Sequence, residues 1–163
     1  MNATMELLKG FKSSPVPENT RAIPGAVFHF LTMGSETNGR HSLMKIIVHR
    51  GAEPPRHTHS REDESYFILK GSISYTIGDD VIDVNEGEYV YLPKDVPHSF
   101  KVLSEQAEVL MWLSPAGLEQ WFWDNSTPAS EGKALTLPPG PPPPHVVEHF
   151  VNSLRLYGVE MSF

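Results

Sequence analysis

From Ala26 to Leu113 the chain alternates short runs of aliphatic, aromatic and β-branched residues with turn residues. The runs are Ala26–Thr32, Ser42–His49, Glu64–Lys70, Ser72–Ile77, Val81–Val84, Tyr89–Leu92, His98–Val102 and Glu108–Leu113. Each has the length and composition of a strand. Between them stand Gly34 to Gly39, Gly51 to Pro55, Gly71, Gly78-Asp79-Asp80, Asn85-Glu86-Gly87 and Pro93 to Pro97. Spacers of this kind suit hairpins and leave no room for the helical crossovers of a βαβ fold. The pattern predicts an all-β antiparallel barrel or sandwich over residues 26–114.

The flanks read differently. Residues 1–25 form an expected N-terminal arm, in which Met5, Leu7, Leu8 and Phe11 stand at roughly helical spacing until Ser13, Ser14, Pro15 and Pro17 break it. Residues 115–163 form an expected C-terminal extension. Pro115 opens an apolar helical face carried by Leu118, Trp121 and Phe122. Residues 138–144, Pro-Pro-Gly-Pro-Pro-Pro-Pro, predict an extended polyproline II spacer. Val147, Phe150, Val151, Leu154 and Tyr157 then recur at helical offsets up to Gly158, predicting a short amphipathic terminal helix that packs back on the barrel.

Composition removes several classes of function. Lys and Arg total 13 against 20 Asp and Glu, a net charge of −7, so nucleic acid and anionic lipid are not expected partners. No apolar run approaches the ~18 residues of a membrane helix, and no charged-then-apolar leader occupies Met1 to Gly10. A soluble cytoplasmic protein without a membrane partner is the expectation. The absence of cysteine excludes disulfide scaffolds, zinc ribbons, thiol nucleophiles and iron–sulfur clusters, so any metal must be held by histidine and carboxylate.

One segment concentrates such residues. Gly51 is followed after five residues by His57-x-His59, after four more by Glu64, and after six more by Gly71. Two histidines one residue apart project to the same face of an extended chain, and Glu64 can meet them from the next strand. Downstream, Gly87, Pro93 and His98 follow at intervals of five and four intervening residues, adding an imidazole from a later strand. Neutral imidazoles with one carboxylate suit one divalent transition metal ion (Fe, Mn, Ni, Co, Cu or Zn) better than calcium or magnesium.

These two elements resemble the motifs of the cupin superfamily, G-x5-HxH-x(3–4)-E-x6-G and G-x5-PxG-x2-H-x3-N. Gly51, His57, His59, Glu64 and Gly71 match the first in full; Gly87, Pro93 and His98 match the second. Asp95 replaces its usual glycine and Val102 its usual asparagine. The resemblance covers roughly residues 40–114 and implies a double-stranded β-helix, or jelly-roll barrel, with short peripheral helices. It also implies a metal held by His57, His59, Glu64 and His98. The runs Ser35–Gly39, Arg61–Leu69 and Ser114–Glu119 further look like small single-domain cupins of the quercetin-dioxygenase-like branch.

Among the adjacent acids, Glu62 and Glu64 share one face of a strand and Asp63 takes the other. Glu64 alone stands six residues before Gly71, in line with Tyr66 and Ile68, so Glu62 and Asp63 read as loop or rim charges. Parity turns Tyr66 and Ile68 inward after Glu64, Phe100 and Val102 inward after His98, and Met44, Ile46 and Val48 inward if Lys45 faces water. These residues form the expected substrate pocket, suited to a small flat organic molecule, and serve equally to fill a small barrel. By resemblance, the expected activity is a metal-dependent dioxygenase of a small enolic or phenolic compound, with Glu64 as fourth ligand or as catalytic base. Alternatives are a metal-dependent isomerase, cyclase or hydrolase without dioxygen, and a non-enzymatic small-molecule-binding module. A homodimer is expected, because cupins of this size commonly pair through their sheets.

The remaining candidates read as structural. His29, His41 and His49 are expected as half-exposed strand histidines. His145 and His149, flanking Glu148, are expected on a solvated helix face, and Trp121, Phe122 and Trp123 as a hydrophobic plug.

Overall fold

The structure is a computed structural model that describes residues 8–129 and 131–162. Its strands are β1 (Thr20–Ile23), β2 (Ala26–Thr32), β3 (Ser42–His49), β4 (His57–His59), β5 (Asp63–Lys70) and β6 (Ser72–Ile77), followed by β7 (Asp80–Asn85), β8 (Tyr89–Leu92), β9 (His98–Val102), β10 (Gln106–Ser114), β11 (Thr127–Pro128) and β12 (Val159–Met161). Helix α1 spans Glu119–Asp124 and α2 spans Pro144–Arg155. All named strand pairs are antiparallel, in a larger sheet ordered β11-β1-β2-β3-β10-β5-β8 and a smaller one ordered β12-β4-β9-β6-β7. The eight expected strands appear with their bounds unchanged or lengthened by one to three residues. Among the described residues, no helix is long and apolar enough to cross a membrane.

Strict alternation of burial along β3 and β10 gives the larger sheet one inward face. The register stacks that face in rungs. Ser42, Leu113, Glu64 and Leu92 form one, Met44, Met111, Tyr66 and Val90 the next, and Ile46, Val109 and Ile68 the third. The smaller sheet answers with Ile77 and His98, then Tyr75 and Phe100, then Ile73 and Val102. Polar ligands therefore occupy one end of the barrel, aromatic residues the middle layer, and aliphatic side chains the far end.

The structure corrects the flanks. Thr20–Ile23, inside the segment read as an arm, pairs with β2 through Pro24-Gly25, and Leu8–Val16 carries no regular structure. The arm's Met5 and Leu7 lie outside the described residues. The helix expected from Pro115 begins at Glu119, whose buried carboxylate accepts the backbone N–H groups of Gly34 at 2.9 Å and Gly117 at 2.5 Å. Helix α2 enters from Pro143 at φ −58° and ψ 148°, a polyproline II conformation, with Pro144 as its first residue. Trp121 joins the two helices, donating its indole N–H to Ser153 Oγ at 2.9 Å and meeting Phe150 edge-on. Phe122 packs at a tilt against Phe28 and Trp123 meets Phe30 of β2 edge-on, so the aromatic run is a plug. His145 and His149 are solvated. His29 is buried rather than half exposed: Thr20 spends its hydroxyl proton on Val16 O, so His29 Nδ1–H donates to Thr20 Oγ1 at 2.9 Å.

Candidate metal centre

Strand β4 places His57 and His59 on one buried face, β5 brings Glu64, and β9 brings His98 directly opposite His57. One ligand atom from each of the four residues lies within 4.8 Å of the others. Each imidazole is fixed from behind. His57 Nδ1–H donates to Pro55 O at 2.8 Å, His98 Nδ1–H to Val96 O at 3.1 Å, and His59 Nδ1–H to Glu62 Oε1 at 2.7 Å. With all three Nδ1 protons engaged, every Nε2 carries a lone pair available to the centre. The Nε2 atoms of His59 and His98 are buried without a hydrogen-bond partner, 3.9 and 3.4 Å from the nearest Glu64 oxygens. Buried, unpartnered nitrogens converging with a carboxylate are the donor set of a divalent transition ion, so the residues fit one.

The electrostatics agree with that assignment. Burial opposes ionisation of Glu64, but His59, then His98 and His57, outweigh it and hold the carboxyl at about 2. Burial lowers His57 to about 4, with Glu64 opposing and His98 assisting. Burial also acts to lower His59, yet Glu64 and then Glu62 outweigh it, so His59 is raised. Two buried carboxylates around three imidazoles make an electron-rich pocket that a dication neutralises.

Glu62 is a loop residue but not a solvated charge, and Asp63 stays at the rim. Glu62 is only 3% exposed and orients His59, and Asp63 Oδ1 accepts the Lys94 N–H at 2.9 Å, pinning the turn that leads to His98. The signal for Glu62 was its shared face with Glu64; the sharp loop after β4 hid which imidazole it would meet. Glu53 was also missed: its carboxylate ties the loop carrying Pro55 to β9 through the Val102 N–H at 2.9 Å. Asp95, in place of the motif's glycine, keeps the left-handed backbone with φ at +64°, which aspartate tolerates, and its N–H donates to His59 O at 2.7 Å. Val102, in place of the motif's asparagine, is buried in the aliphatic end.

Of the expected pocket residues, Tyr66, Met44 and Phe100 lie in the layer next to the four ligands, and Ile46 and Ile68 lie in the far aliphatic layer. Tyr66 donates its hydroxyl to Glu64 Oε2 at 3.2 Å, Met44, Ile46 and Ile68 are buried, and Phe100 is half-buried. Tyr66, Tyr75 and Phe100 form an aromatic cluster with ring centroids 5.4 to 6.4 Å apart. Tyr75 was not singled out from sequence, because its inward direction depends on the β6–β9 register.

Comparison with known proteins agrees with this architecture. The cupin domain family matches residues 44–114. An uncharacterized protein of Streptomyces coelicolor, SCO3923, is 30% identical over 108 residues, 66% of this chain and 97% of that protein. Among solved structures, an RmlC-like cupin from Shewanella frigidimarina aligns with a TM-score of 0.57 at 17% identity, covering 70% of this chain and 99% of its own. Pac13, a nucleoside dehydratase of Streptomyces, aligns with a TM-score of 0.55 at 14% identity, covering 69% and 88%. With the HxH…E and Gly…Pro…His elements gathered at one end of a two-sheet barrel, the chain belongs to the cupin superfamily.

Proposed function

We propose that this cupin is a metal-dependent enzyme of small enolic or phenolic compounds, and that its first activity to test is a dioxygenase of the quercetinase-like kind. The observation that carries the reading is Glu64, a fully buried, ionised carboxylate set among three inward imidazoles and touched by one phenol. A divalent ion held by His57, His59, His98 and Glu64 supplies Lewis-acid stabilisation of a developing oxyanion and, where it is redox-active, access to dioxygen. Glu64 accepts the substrate's enol or phenol proton, and Tyr66 keeps its carboxylate oriented through the bond to Oε2. The aromatic middle layer holds a flat ring, and Met44, backed by the far layer of Ile46 and Ile68, excludes water from the ionised substrate.

The test is oxygen consumption by protein loaded separately with iron, manganese, nickel, cobalt and copper, across flavonols, catechols and β-diketones. Uptake with at least one metal, abolished in Glu64→Gln, is expected. No uptake with any combination rejects the dioxygenase. A second reading, a metal-dependent lyase or isomerase without dioxygen, is favoured by the Tyr66 phenol beside Glu64, which places an acid next to a base. The fold it shares with a nucleoside dehydratase supports it too. Under anaerobic conditions it predicts Glu64-dependent exchange of a substrate proton with deuterated solvent. A homodimer belongs to the same proposal, supported by the exposed Tyr89 and Tyr91 on β8 at the edge of the larger sheet, and sedimentation velocity checks it.

A further inference from the structure

One buried hydroxyl in the barrel serves neither the four ligands nor the fold. Tyr75 lies opposite Phe100 in the β6–β9 ladder, two residues from the pair formed by Ile77 and His98. Its side chain is 0% exposed and stacks on Tyr66 across the barrel. The Oη atom has no hydrogen-bond partner, whereas the Tyr66 hydroxyl is committed to Glu64. A buried phenol left unpaired destabilises a fold, and phenylalanine would fill the same space without that loss. Burial, and after it Glu64, push the Tyr75 hydroxyl well above the ordinary phenol range, so it remains a proton donor. Its ring packs against Tyr66, whose hydroxyl bonds Glu64, which places Tyr75 in the layer next to the four ligands.

We propose that Tyr75 donates its hydrogen bond to the substrate, and that the substrate is a small planar compound with oxygens on two neighbouring carbons, a catechol or an enediol. The inference rests on reading His57, His59, Glu64 and His98 as a metal centre and adds the second point of recognition. The centre accounts for one substrate oxygen. Tyr66 has no proton to spare; of the two buried hydroxyls left without a partner, Ser42 and Tyr75, Tyr75 is the one set in the ring-lined layer, and it accounts for the other. Planarity follows from the walls, since Tyr66, Tyr75 and Phe100 present rings.

The test compares wild type with Tyr75→Phe, both loaded with cobalt(II), using 4-nitrocatechol and the single-oxygen probe 4-nitrophenol as visible ligands. Tyr75→Phe is expected to take up cobalt like wild type and to melt at the same or a higher temperature. It should bind 4-nitrocatechol at least about tenfold more weakly, as loss of a hydrogen bond to an anionic oxygen requires. Its affinity for 4-nitrophenol should stay within about twofold of wild type. Equal loss for both probes, no loss for either, no binding of 4-nitrocatechol by cobalt-loaded wild type, or a clear fall in melting temperature overturns the role given to Tyr75 and leaves the metal centre standing. A wild type that takes up no cobalt overturns the metal reading and this inference together.

Discussion

Replacing Glu62 by glutamine and by alanine separates the charge of that side chain from its service as an acceptor. Glu62 receives the His59 Nδ1–H at 2.7 Å in a buried setting, fixing the tautomer that points Nε2 at the centre and strengthening that nitrogen as a donor. Alanine leaves the N–H unpaired, and loss of such an outer partner weakens metal binding by about 10–100-fold. Glutamine retains a carbonyl oxygen, and a neutral hydrogen bond is about half as strong as a charge-assisted one, so about a three- to tenfold loss is expected. The effect depends on pH. Glu64 and Glu62 together raise His59 against the lowering effect of burial, so Glu62 stabilises the protonated ring as well as the metal-bound one. Below the His59 pKa these two contributions largely cancel in the exchange of proton for metal; above it the free ring is neutral and gains less from the Glu62 charge than the metal-bound ring does. The Glu62→Ala deficit should therefore be smaller near about pH 6, below the ordinary imidazole value, than at a pH above the raised His59 pKa. Zinc competition against a chromophoric chelator at both values, with far-ultraviolet circular dichroism to show folded protein, measures it. Folded Glu62→Ala with wild-type zinc affinity, or glutamine as damaging as alanine, refutes the argument.

Three further outcomes follow from the same geometry. Plasma mass spectrometry of protein as purified should find near-stoichiometric transition metal in wild type and none in a His57→Ala/His98→Ala variant made in parallel, since the double change removes the directly paired imidazoles. Burial first, and Lys45 second, lower the pKa of His29, so folding requires the neutral ring. Its contribution is present above the unfolded value of 6.5 and is lost as pH falls from there through the folded pKa, so urea unfolding should show an acid-side loss that His29→Gln flattens. Gly158 holds φ at +85°, and a Cβ there would stand 2.6 Å from Ser60 Oγ, so Gly158→Ala should cost about 1–2 kcal/mol of unfolding free energy in the same titration.

The strands of the barrel were legible because alternation, turn residues and one-sided burial coincide there, as in β3, where Met44, Ile46 and Val48 alternate with Lys45 and His49. The cluster of His57, His59, Glu64 and His98 was legible because an HxH pair needs no long-range information to share a face. What escaped depends on chain segments far apart in sequence. Strand β1 is four residues of mixed polarity whose pairing becomes apparent only beside β2. Strand β12 follows a glycine that reads as the end of a helix. Glu62 and His29 are polar residues whose burial is tolerated because single partners, His59 and Thr20, satisfy them, and no local pattern announces such a partner.

The strand that sequence hid has the closest bearing on the centre. Strand β4 meets its barrel neighbour β9 at the single pair His57 and His98, but meets β12 along its whole length, Met161 opposite His57, Glu160 opposite Thr58 and Val159 opposite His59. Ser60 extends the attachment, donating both its N–H and its hydroxyl to Gly158 O. Two of the four ligands thus ride on a three-residue strand whose main support is the end of the described chain. That end is set by α2, which packs against β12 and is anchored to α1 through Trp121 and Ser153. The extension after Ser114 is therefore a structural part of the candidate metal centre: a change that loosens the α2–β12 turn lets the HxH strand move and should lower metal affinity although it touches none of the four candidate ligands.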